Sequence, residues 1–153
     1  PGFRWGTSIL PGDTITMEQL MDQTAITYPT ATLNEMTGTQ IMQVMEDIAD
    51  NLFHEDPYYQ QGGDMVRVGG MSYTMDLNQK HGKRIQNVEI RGKKLSATRK
   101  YKVAGWASVQ ENPAGTRPIW EVVSEWMTFK KTVRIDQAYQ PKLKGAAGNP
   151  GIA

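Results

Sequence analysis

One stretch limits the fold of this chain more than any other: "TGTQIMQVMEDIADNLF", residues 37–53. Ile41, Val44, Met45, Ile48, Ala49 and Leu52 recur at helical spacing and form a single apolar stripe. Thr37 and Gln40 make a Thr-x-x-Gln capping box at its start. The pattern predicts an amphipathic helix whose apolar side must be covered by another element. Glu46, Asp47 and Asp50 fall off the stripe and are expected to face water.

What can cover that stripe is read from the flanks. Residues 1–15 are rich in Gly and Pro and read as an extended loop. Thr16 and Gln19 form a second capping box, which predicts a short helix from Thr16 to about Gln23. "AITYPTATLNEM" reads as loop then strand, with Pro29 near the strand's start. "HEDPYYQQGGD" is a loop. "MVRVGGMSYTMDL" alternates as a strand, with a bulge or bend at Gly69-Gly70. "KRIQNVEIRGKKLS" reads as a strand, a turn near Gly92 and a short strand, and "RKYKVAGWASV" as another strand. Ile119, Val122, Val123 and Trp126 mark a second amphipathic helix entered through Pro118, with Trp120 and Trp126 expected in the core. "FKKTVRI" is expected to be a last strand. Helices and strands mix without a strict βαβ rhythm, so the fold class is α+β.

The length of 153 residues suits one domain. Residues 1–135 carry the patterned elements, and 136–153, ending in "KLKGAAGNPGIA", are expected to be a flexible tail. There is no cysteine, which excludes disulfides, thiol nucleophiles and zinc-finger spacings. No apolar run approaches the roughly 20 residues of a membrane-spanning helix.

Net charge is +1, yet the charges are segregated. Asp13 to Asp56 contains acids and no Lys or Arg, whereas Lys80 to Lys102 is strongly basic, with Glu89 its single acid. The ordinary reading is two solvated faces that partly compensate each other. A nucleic-acid-binding module using the basic segment is the alternative, but no base-stacking motif accompanies those charges.

Catalytic patterns are missing. No dinucleotide or Walker phosphate loop and no nucleophile elbow is present. His54 and His81 lie apart in predicted loops and read as ordinary surface histidines, so no metal site is expected in this chain. The remaining signals suit binding. Arg4 sits in a Gly-flanked loop, "PGFRWG", where its planar fork suits sulfonate, phosphate or carboxylate oxygens; the plain alternative is an arginine paired with a local acid. The loop "DPYYQQGGD" has the aromatics, amides and glycines of a recognition loop, or is an exposed connector. Trp106, after Gly105, either lines a cleft or caps the core.

Several stretches together resemble the 5′-nucleotidase C-terminal domain family: Gly2-Phe3-Arg4, Ile15-Thr16, Thr27-Tyr28 and Glu35-Met36-Thr37-Gly38, followed by the long helix. Within it, "PGFRWG", "MDQTAITYP", "DPYYQQGGDMVRVGG", "GKRI", "VAGWASV" and "PIWEVVS" are similar to the sulfate-releasing thiosulfohydrolase branch, in this order from Pro1 to about Val133. The resemblance implies a layered α/β fold with a mixed sheet. It implies that this chain is the substrate-binding half of a metal-dependent hydrolase, inactive alone and beginning just after a domain boundary. A dimanganese centre would lie in an N-terminal metallophosphatase-like domain absent from the chain. The implied substrate is a cysteine S-thiosulfonate on the SoxY carrier protein of the SoxYZ complex, in the periplasm, with no nucleic acid or membrane as partner. The substrate domain of a 5′-nucleotidase-type phosphohydrolase is the other implied reading.

The resemblance also implies site residues. Arg4 falls at the family's substrate-anion arginine. Tyr28 falls where nucleotidase relatives place a base-stacking aromatic, and Trp106 near their second aromatic loop. There the chain departs from Gly-Gly-Asp-Gly-Phe/Tyr, reading Gly105-Trp106-Ala107-Ser108, which argues against nucleotide stacking. Tyr58, Gln61 and Asp64 are expected along the carrier-arm channel.

Overall fold

The computed structural model describes residues 8–24, 30–63, 65–106 and 116–147, with the backbone alone at Trp106. The chain folds into two compact units, each discontinuous in sequence. One is built from Met36–Tyr101 together with the segment from Asp136 onward; the other from Gly2–Glu35 and Lys102–Ile135.

The first unit is organised by helix α2, Gly38–Phe53. The Thr37 hydroxyl accepts the Gln40 amide, and the Gln40 side chain accepts the Thr37 amide at 2.8 Å, completing the expected box. Helix α2 lies against β3, Ile85–Ile90, within a four-stranded sheet. The other strands of this sheet are β2, Met71–Asp76; β4, Lys93–Lys94; and β7, Lys142–Lys144. Their order is β4-β3-β2-β7. Strand β2 runs antiparallel to β3, with an irregularity between Ser72 and Thr74, and parallel to β7, so the sheet is mixed. Ile41, Met45 and Ala49 of the helix and Tyr73, Met75, Ile85 and Val88 of the strands are buried and form the core. Full burial of side chains this size stabilises by about 1.5–3 kcal/mol each for the larger ones.

The second unit holds α1, Met17–Thr24, and α3, Ile119–Lys130, which pack on each other. The Thr16/Gln19 box is formed, with the Thr16 amide donating to Gln19 Oε1 at 2.9 Å. Strand β1, Thr30–Thr37, lies between β5, Lys100–Trp106, and the short β6, Arg117–Pro118, in a three-stranded sheet. The divisions after Glu35 and after Tyr101 fall inside β1 and inside β5, and a further one follows Ile135 between elements. Arg117 grips Glu125 through both terminal nitrogens and approaches Glu121 at 3.7 Å, tying β6 to the outer face of α3.

Mixed helices and strands with a mixed sheet match the α+β expectation. Five local expectations differ. The helix α2 is rolled relative to its predicted stripe: Val44 is 44% exposed, while Glu46 is 4% exposed. Asp50 is also withdrawn from water, paired with buried Arg84. Residues 65–68 form no strand, and the strand begins only after the bend at Gly69-Gly70, where Gly70 has φ +74°. "FKKTVRI" is not a strand, because α3 continues through Lys130 and stops where Lys131 turns to φ +60°. Trp126 is exposed rather than core. Finally, within the expected tail, Lys142–Lys144 hydrogen-bond along β2; Gly145, at φ +74°, turns the chain beside Asn78.

Candidate functional site

The loop after α2 carries the described part of the predicted site. It begins at His54, whose amide still donates to Asp50 O at 2.9 Å and so closes the helix. Asp56 then caps a single 3-10 turn, Pro57–Tyr59, by accepting the Tyr58 amide at 2.9 Å. An acid followed by Pro is the sequence signal for such a turn. His54 Nδ1 accepts the Asp56 amide at 3.0 Å. The Gln60 side chain donates to His54 O at 2.7 Å, and the Gly62 amide to Asn51 O at 3.1 Å. The loop is therefore folded back onto the last turns of α2.

This bracing displays side chains instead of burying them. Tyr58 is 87% exposed and stands edge-on to Tyr59, with ring centroids 5.4 Å apart. Tyr59 in turn packs on His54 at 5.0 Å. Gln61 is exposed three residues along. Two aromatic faces and a side-chain amide on a fixed backbone present a contact surface at low ordering cost, the property that makes tyrosine frequent in recognition surfaces.

Acidic side chains of α2 and of the loop meet the β2–β3 connection. Glu46 accepts the Gly82 amide at 2.9 Å and the Ile85 amide at 2.6 Å. Asp47 pairs with His81 Nε2 at 3.0 Å, and Glu55 faces Lys80 at 3.9 Å. Arg84, 2% exposed, donates to Asp50 Oδ1 and to Phe53 O, the latter at 2.8 Å. The hydrogen bond from Arg84 holds the Asp50 carboxyl below its ordinary value, against the opposing effect of burial. The segregated acids and bases of the sequence thus meet here in specific pairs. Sequence inspection passes over Arg84, and no local signal marks it: its partners lie 31 and 34 residues away.

Of the predicted site residues, Tyr58 and Gln61 are brought together on this loop. Trp106 ends β5 in the other unit, where the Thr32 hydroxyl donates to the preceding Gly105 O at 3.2 Å. Arg4, Tyr28 and Asp64 lie outside the described residues. Among the described residues no group of three or more His, Asp or Glu side chains is placed to hold a metal ion. A groove of about 440 Å³ runs beside the N-terminus of α2, lined by Thr39, Met42, Val88 and Leu95 among others, and includes none of the six.

The chain matches the family described as 5′-nucleotidase, C-terminal domain over residues 1–117. No curated protein sequence matches it. Among solved structures it is similar to Thermus thermophilus sulfate thiohydrolase SoxB in complex with glycerol, with 41% identity and a TM-score of 0.76 over 93% of this chain. The match spans 27% of that SoxB chain. A putative 5′-nucleotidase from Staphylococcus aureus, in complex with alpha-ketoglutarate, shares the fold at 15% identity and a TM-score of 0.59, over 85% of this chain and 30% of that one.

Proposed function

We propose, from the premise that this chain belongs to the 5′-nucleotidase C-terminal domain family, that it is the substrate-binding domain of a SoxB-type thiosulfohydrolase. The observation that carries this reading is the 41% identity to SoxB across 93% of the chain, against 15% for the nucleotidase. The neighbours are hydrolases, and the substrate we assign is a cysteine S-thiosulfonate on the SoxY carrier, hydrolysed in the periplasm to release sulfate. The dimanganese centre that such hydrolysis uses would belong to a metallophosphatase-like domain outside this chain. In this reading the chain's part is to bind and orient the substrate.

Within that part, Arg4 is the anion ligand. A guanidinium fork matches two sulfonate oxygens and stabilises the charge that builds on them as the bond to sulfur breaks. Tyr58 and Gln61 contact the carrier arm from their braced loop, with Asp64 beside them in sequence. Tyr28 and Trp106 border the substrate.

The test is direct. The full-length protein that carries this chain is assayed for sulfate release from thiosulfonated SoxY and for phosphate release from AMP. Sulfate release without phosphate release is the expected result; the reverse would replace this reading with the nucleotidase one. Arg4→Ala should lower sulfate release about 100-fold or more. Unchanged turnover and substrate affinity would remove Arg4 from the site.

A further inference from the structure

The loop that displays Tyr58 and Gln61 makes its anchoring bonds to the last turns of α2: Gly62 to Asn51, Gln60 to His54, and His54 to Asp50. Arg84 bonds to those turns as well. Its guanidinium reaches from the start of β3, donating to the Asp50 carboxylate with one terminal nitrogen and to the Phe53 carbonyl with the other. Both acceptors sit at a helix C-terminus, where the backbone carbonyls already concentrate negative charge and a further carboxylate is unfavourable unless a cation is near.

Stability alone does not account for a buried arginine here. Arg84 is 2% exposed, and its Nε is buried without a hydrogen-bond partner. Taking a guanidinium out of water with one donor unmatched is costly, and an apolar side chain of similar volume commonly stabilises as well or better. What an apolar residue cannot do is span two acceptors three residues apart and fix their separation. The pair therefore specifies where the helix ends, and with it where the loop begins.

We propose that Arg84 is a positioning residue for the substrate-contacting loop: by clamping Asp50 and Phe53 it sets the last turn of α2 and so the placement of Tyr58 and Gln61. The inference rests on the proposed function only in taking that loop as a substrate contact. The clamp itself is a statement about this unit alone.

The experiment uses the full-length protein and Arg84→Lys, which keeps the charge and removes the fork. Amide hydrogen exchange is followed across residues 54–63 and across β2 and β3, beside sulfate release from thiosulfonated SoxY. Exchange in 58–63 should quicken at least about tenfold while the strands stay protected. KM for the carrier should rise about tenfold, with kcat within about twofold. Unchanged exchange in the loop would overturn the clamp. Should Arg84→Lys fail to fold, Asp50→Asn is read in the same way; it keeps the bond to Phe53 and loses the ion pair, and loop exchange as slow as in the parent protein would overturn the clamp. Tyr58→Ala separates the two ideas, because it leaves the anchor untouched. If it raises KM and Arg84→Lys loosens the loop without raising KM, the positioning role is refuted. If neither raises KM while the loop is loosened, it is the loop's use as a substrate contact that fails.

Discussion

The carboxylate of Glu46 accepts the amide of Ile85 at 2.6 Å from a helix position only 4% exposed. Its second oxygen takes the Gly82 amide at 2.9 Å, so one side chain satisfies two backbone donors of the β2–β3 connection. Glu46→Gln replaces one acceptor oxygen with a donor that faces an N–H. Hydrogen bonds to a charged group are worth roughly 1.5–3 kcal/mol, and a buried donor left unmatched costs a similar amount. We expect Glu46→Gln to lower stability by about 2 kcal/mol, read as a lower urea midpoint at unchanged slope. A midpoint equal to that of the parent protein would contradict the bidentate role.

The same residue shows what sequence can and cannot reveal. Helix α2 was legible because spacing and capping are local: Ile41, Met45 and Ala49 are buried, and Thr37 and Gln40 cap as their order predicts. Its exact roll was not legible. Periodicity assigns Glu46 to water, whereas the amides that claim it come from 36 and 39 residues away. The strand read into "FKKTVRI" failed for a related reason: short apolar runs fit helix and strand alike, and the end of α3 is decided by the turn at Lys131. Strand β7 escaped notice because a parallel partner distant in sequence, not its own Lys-Leu-Lys pattern, makes it a strand. The candidate site divides similarly. The Tyr58 loop announces itself through Asp56-Pro57 and its tyrosines, while Arg84 is visible only once the chain is folded.

Gly38 is fixed by close approach rather than by its backbone angles. A Cβ there would stand 2.1 Å from Ser96 O, and that oxygen belongs to a segment whose neighbours accept the Gly38 and Thr39 amides at 3.1 and 3.0 Å. The seat cannot open without losing those bonds. Overpacking of this kind costs about 1–3 kcal/mol. Gly38→Ala should lower the thermal midpoint, although Ala is the better helix former. A midpoint at or above that of the parent protein would show that the 96–99 segment yields freely.

Thr37 supplies the cap that starts the same helix. Its hydroxyl accepts the Gln40 amide at 3.3 Å, the half of the capping box that Thr37 itself supplies. Thr37→Ala should cost about 1 kcal/mol and Thr37→Ser much less, since serine keeps the acceptor. Equal losses in the two variants would point to the methyl group of Thr37, not its hydroxyl, as the stabilising part.

The Arg84–Asp50 pair should give acid sensitivity in one direction only. The hydrogen bond from Arg84 lowers the Asp50 carboxyl from its unfolded value of 3.8; burial opposes this, and the charge of Arg84 adds to it. A carboxyl depressed in the folded state binds protons more weakly there than in the unfolded chain. Its contribution is therefore fully present above 3.8 and is lost as pH falls below that value through the folded one. Asp50→Asn removes this titration but keeps the shape. Urea midpoints of the parent protein and the variant, compared from neutral pH to about pH 2.5, should differ most at neutral pH and converge in acid. A difference that stays constant down the range would mean that Asp50 is not held in its charged form by Arg84.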